Sequence, residues 1–151
     1  MATNEPRSEH KPNILVVGPE DVDLAVLRQL FEAQRWPFLS VRTLAGASTV
    51  MARNRPALLL CDAHLDDGDW KCMLPAGATT VLHSPLLIVT SSQADDNLWA
   101  EVLNLGGYDV LAKPYDPNEV IRVVGIAWER VSCAHRKFVG AERGIGRSPT
   151  T

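Results

Sequence analysis

Three side chains of different chemistry each follow a short apolar run. Asp62 follows "ALLLC" at 57–61, Thr90 follows "LLIV" at 86–89, and Lys113 follows "VLA" at 110–112. A carboxylate, a hydroxyl and an ammonium group meeting at one edge would make a small charged pocket. Taken singly, each has a plainer reading: a helix-capping acid, a strand-end hydroxyl bonded to backbone, a solvated charge. No glycine-rich phosphate cradle accompanies them, which argues against a nucleotide-binding fold.

The elements that must position these residues are legible in the hydrophobic pattern. Ile14–Val17, Phe38–Leu44, Ala57–Cys61, Leu86–Val89 and Val110–Ala112 read as strands. The run at 57–61 is apolar throughout, as a central parallel strand covered on both faces should be. Leu24, Leu27, Leu30 and Phe31 recur at helical spacing after the first strand, with Asp21 or Asp23 suited to the N-cap. A short helix from Ala45 to Asn54 stops before Pro56. Residues 69–80, "DWKCMLPAGATT", allow a helix that Pro75 and Gly77 would shorten or break. Leu98, Val102 and Leu105 form a stripe closed by Gly106-Gly107. Asp116, Pro117 and Glu119 open a last helix with Val120, Val123, Val124, Ala127, Trp128 and Val131 on one face. The alternation predicts an α/β fold, a (βα)5 open parallel five-stranded sheet with helices on both faces, flavodoxin-like. In such sheets ligands sit beyond the carboxyl ends of the strands, where Asp62, Thr90 and Lys113 fall.

Composition sets the outer bounds. The chain has 151 residues, enough for one self-sufficient core, with 46% hydrophobic and 22% charged residues. A net charge of −3 argues against general nucleic-acid or anionic-membrane binding. No apolar run is long enough to span a membrane and the N-terminus lacks a signal-peptide stretch, so the expected location is cytoplasmic. Cys61, Cys72 and Cys133 follow no metal-ligand spacing and read as reduced thiols. Residues 1–11 are expected to be disordered, 12–131 to form the domain, and 132–151 to be a flexible basic tail.

With Asp62 ending an apolar strand, "VTSS" at 89–92 and "LAKPYD" at 111–116 in this order, residues 12–131 resemble the receiver domain of two-component response regulators, without an output domain. The resemblance implies a non-enzymatic signalling protein in a phosphorelay. Asp62 would accept a phosphoryl group as an aspartyl phosphate, Thr90 would donate to one phosphoryl oxygen and Lys113 would pair with another. It implies a metal site for Mg2+ using Asp62 and the main-chain carbonyl of His64, and a cis Lys113–Pro114 peptide. It also implies a histidine kinase or phosphotransfer protein as partner, and a downstream protein on the face of the fourth helix, fifth strand and fifth helix. A homodimer would also fit the family.

Two features depart from the family pattern. Gly18 and Pro19 stand where the family has an acidic pair for the metal. Moving Glu20 and Asp21 into those slots would rotate the helix stripe by about 200° and expose it. Val26-Leu27 and Leu30-Phe31 fit the family's buried positions without a gap. Mg2+ is therefore expected to bind weakly, with Glu20, one position late, as a substitute ligand. Asp66, Asp67 and Asp69 would add attraction or simply form a solvated acidic loop. Val110 stands where the family's switch aromatic should be, and neither Tyr108 nor Tyr115 matches that position. These departures keep open a second reading, a pseudo-receiver that binds a partner without phosphorylation. Trp128 is expected in the core, while Trp99 lies off its helix stripe.

Overall fold

The computed structural model describes residues 13–74 and 85–131. The N-terminal segment, the basic tail, Cys133 and part of the 69–80 stretch lie outside them. Five parallel strands form one sheet: β1 (Ile14–Val17), β2 (Phe38–Val41), β3 (Leu58–Asp62), β6 (Leu86–Ser91) and β7 (Asp109–Ala112). Their order across the sheet is β2-β1-β3-β6-β7. Between β3 and β6 a small antiparallel hairpin, β4 (His64–Leu65) and β5 (Gly68–Asp69), leads into a 3-10 turn at Trp70–Met73. Among the described residues the helices are α1 (Asp21–Gln34), α2 (Leu44–Asn54), α3 (Asp96–Asn104) and α4, spanning 117–131. None is long and apolar enough to cross a membrane.

The side-chain period of a strand explains how the core divides. Alternate residues Leu15, Val17, Leu59, Cys61, Leu87 and Val89 face α2, α3 and the 3-10 turn, meeting Leu44, Ala47, Val102 and Trp70. Their neighbours Ile14, Val16, Leu58, Leu60, Ile88 and Leu111 face α1 and α4, meeting Leu27, Phe31, Val120, Val123, Val124 and Ala127. Every residue of β1 and β3 is buried. Phe31 anchors the second layer with Phe38 edge-on at 5.4 Å and Trp36 at 6.0 Å between ring centroids.

Several element ends differ from the sequence expectation for local reasons. The second strand stops at Val41 because Thr43 caps α2, its side chain accepting from Gly46 N at 3.0 Å. Asp67 adds a cap from outside, accepting from Leu44 N at 3.0 Å and Ala45 N at 3.2 Å. Those two backbone bonds, the first the larger influence, lower its pKa. Its role is thus structural, as is that of Asp69, which accepts from Lys71 N and caps the 3-10 turn. Neither Asp21 nor Asp23 caps α1: the N-cap is Glu20 and makes no side-chain bond there. Asp21 pairs with Arg42. Asp116 opens α4 as expected, accepting from Asn118 N at 3.0 Å. Leu105, expected on the apolar stripe of α3, is 47% exposed beyond the helix end. Trp128 packs against the α1/α4 layer.

Candidate functional site

Strand register brings the first two chemical groups together. Asp62 on β3 is the direct partner of Thr90 on β6, so both side chains leave the same face of the sheet. By alternation from Leu58, Leu60 and Ile88, that is the α1/α4 face. Backbone bonds hold the strand ends in place, Ala63 N to Thr90 O at 2.9 Å and Lys113 N to Ser91 O at 3.0 Å. The Thr90 hydroxyl donates to Asp62 Oδ1 at 2.5 Å. The Lys113 ammonium reaches the same oxygen at 3.0 Å. The Lys113–Pro114 peptide between β7 and α4 is cis. The cluster lies at the carboxyl ends of the strands, beside the point where strand order reverses between β1 and β3.

Two further residues join this cluster. Asp23, in the first turn of α1, holds Lys113 through Oδ2 at 3.1 Å. Tyr115 packs against the α1/α4 layer, and Thr90 and Lys113 both influence its phenol. By sequence alone Asp23 suits a helix cap, and Tyr115 lies off the family's switch position. Strand parity was the available signal: a side chain at position 62 must face α1, and the first turn of α1 overhangs that strand end.

The electrostatics follow from burial and shared charge. Asp62 is buried, 9% exposed. Burial pushes its pKa up, Thr90 and Lys113 pull it down, and the balance lies above the ordinary carboxylate value. For Lys113, burial is the largest single influence and lowers the pKa, but the bonds from Asp62 and Asp23 together outweigh it. Burial pushes the Tyr115 phenol up to about 12 despite Thr90 and Lys113. Two carboxylates around one ammonium leave the cluster with one net negative charge.

The residues present do not fit a divalent ion held as the family holds it. Gly18 has φ +86°, and a Cβ there would overlap the Leu65 side chain from the β4–β5 hairpin, with Asp62 Cβ 3.4 Å away. Pro19 is buried and offers no side-chain ligand, and Glu20 is exposed at the N-cap of α1. Asp62 Oδ1 is taken by Thr90 and Lys113, and Asp23 by Lys113. His64, whose carbonyl was the expected backbone ligand, opens the hairpin with its side chain exposed. Among the described residues no group of three or more His, Cys, Asp or Glu is arranged to hold a metal.

A second feature lies on the neighbouring surface. A cavity of about 420 Å³ between α3, β7 and α4 is lined in part by Trp99, Val110, Asp95, Asp96 and Glu119. Trp99 is 51% exposed there, and Val110 is buried.

No family model and no curated protein matches the sequence. Solved structures do. A signal receiver domain of an HD domain-containing protein from Pseudomonas fluorescens Pf-5 superposes with TM-score 0.70 at 27% identity, covering 82% of this chain and 98% of that one. A two-component response regulator from Clostridium difficile gives 0.69 at 20% identity, over 80% and 98% of the two chains. A response regulator receiver domain protein from Methanospirillum hungatei JF-1 gives 0.68 at 16%, over 82% and 98%. The architecture is that of the response-regulator receiver domains, the open parallel sheet expected from the sequence.

Proposed function

We propose that this protein is a cytoplasmic receiver that accepts a phosphoryl group at Asp62 and signals through protein contacts. The donor would be the phosphohistidine of a histidine kinase or phosphotransfer protein. The observation that carries this reading is the meeting of Thr90 and Lys113 on one oxygen of Asp62. An Asp62 oxygen attacks phosphorus, the new O–P bond forms as the P–N bond breaks, and the imidazole leaves with the bonding pair. Phosphoryl transfer of this kind has a loose transition state, so a protein contributes mainly position and charge neutralisation. Thr90 supplies a hydrogen-bond donor to a phosphoryl oxygen and Lys113 the positive charge. The exposed Trp99 beside the acidic rim of Asp95, Asp96 and Glu119 is the surface that would meet a downstream partner.

The test is intact-mass spectrometry after incubation with acetyl phosphate. Gain of one phosphoryl group by the wild type, and none by Asp62→Asn, is the expected result. A wild type that gains nothing, from acetyl phosphate or from a phosphorylated histidine phosphotransfer domain, overturns the proposal. Two observations favour a second reading, the pseudo-receiver: Leu65 fills the space beside Gly18, and the cluster already carries one surplus negative charge that a phosphoryl group would increase.

A further inference from the structure

Where a divalent ion does not fit, Lys113 occupies the space between two acids. Lys113 Nζ stands 3.0 Å from Asp62 Oδ1 and 3.1 Å from Asp23 Oδ2, bridging carboxylates from β3 and α1. All three side chains are largely buried, with 15% exposure for Lys113, 12% for Asp62 and 19% for Asp23. Two acids brought this close out of water need a cation between them, because like charges facing each other in a poorly solvated site are costly. The chain provides that cation covalently.

We infer that Lys113 is the resident cation of a metal-independent pocket, with Asp23 and Asp62 as its ligands and Leu65 closing the space beside Gly18. An ammonium has three N–H donors; Asp62 and Asp23 engage two, leaving one for an oxygen of an incoming anion. The assignment concerns the cation and holds whether or not Asp62 is phosphorylated; only the labelling arm of the test rests on the proposed function.

Amide NMR titration with MgCl2, against NaCl at matched ionic strength, tests the inference on the whole chain. For wild type, no saturable shift at Asp62, Ala63 or Thr90 is expected up to about 10 mM, well above the ~1 mM upper end of weak calcium-module affinities. Saturable shifts localised there overturn the inference. The Lys113→Gln variant leaves two carboxylates without their cation, and is expected to gain saturable Mg2+ binding in the millimolar range. Silence in a folded Lys113→Gln variant also overturns it, because the ammonium would then not be holding a cation's place.

Should Lys113→Gln fail to fold, acetyl phosphate labelling of wild type in excess EDTA and in Mg2+ provides a second measurement. Equal labelling supports a metal-independent pocket, and labelling only with Mg2+ overturns it. Absence of labelling under both conditions counts against phosphoacceptance, while the wild-type titration still decides the cation.

Discussion

Asp23 and Asp62 hold the same ammonium, that of Lys113, at 3.1 Å and 3.0 Å. One acid comes from the first turn of a helix and the other from the end of the central strand. Their shared cation ties α1, β3 and the β7–α4 connection together at the mouth of the sheet. It also means that the charge of Asp62 is only partly neutralised.

The pH dependence of stability follows from that partial neutralisation. Asp62 has its pKa raised above the ordinary value of 3.8, chiefly by burial. The fold therefore favours the protonated carboxyl. The associated stability is complete below the ordinary value and is lost as pH rises through the folded-state pKa. Asp62→Asn, which carries no charge at any pH, should have a higher Tm than wild type at neutral pH. The difference should shrink as pH falls toward about 4, as calorimetry across that range would read. A neutral-pH Tm below that of wild type would contradict this account.

Tyr115 should titrate late. Its phenol is pushed up from 10.0 to about 12, first by burial. Absorbance near the phenolate band should show a tyrosine ionising around pH 12, and Tyr115→Phe should remove that step. By linkage the protonated phenol stabilises the fold fully below pH 10, and this contribution disappears between 10.0 and about 12. The Phe variant should lose less stability over that interval than wild type.

Gly18 and Leu65 should be energetically coupled. A Cβ at position 18 overlaps the Leu65 side chain, and φ +86° already disfavours any residue with one. Gly18→Ala should cost about 1–3 kcal/mol in denaturant unfolding, the usual scale of overpacking. In a Leu65→Ala background the cost should fall by about 1 kcal/mol or more, leaving mainly the backbone strain. An unchanged cost would show that Leu65 does not fill the space.

Phe31 should be the most sensitive of the aromatic positions. It is 0% exposed and packs against both Trp36 and Phe38. Phe31→Ala should destabilise the domain by about 3–5 kcal/mol, the range for aromatic truncation in a core. Val22, 75% exposed on the same helix, should tolerate Ala with a change within about 0.5 kcal/mol.

Much of this was legible in the chain itself. Apolar runs of strand length alternating with helical stripes are local patterns, and they specify a parallel sheet because only helices on both faces can bury strands that are apolar throughout. The positions of Asp62, Thr90 and Lys113 after such runs placed them at one sheet edge. The helical stripe of α1 was legible too, and Leu27 and Phe31 from it are buried. Tertiary structure decided what the sequence could not. Asp23, rather than Glu20, faces the site, because the rotation and overhang of α1 depend on how it packs against Leu60 and Ile88. Leu65 reaches Gly18 only because residues 64–69 fold into a hairpin, a contact between loops that no periodic pattern announces. Local repeats report the elements; which side chains share a cation depends on the angles at which those elements meet.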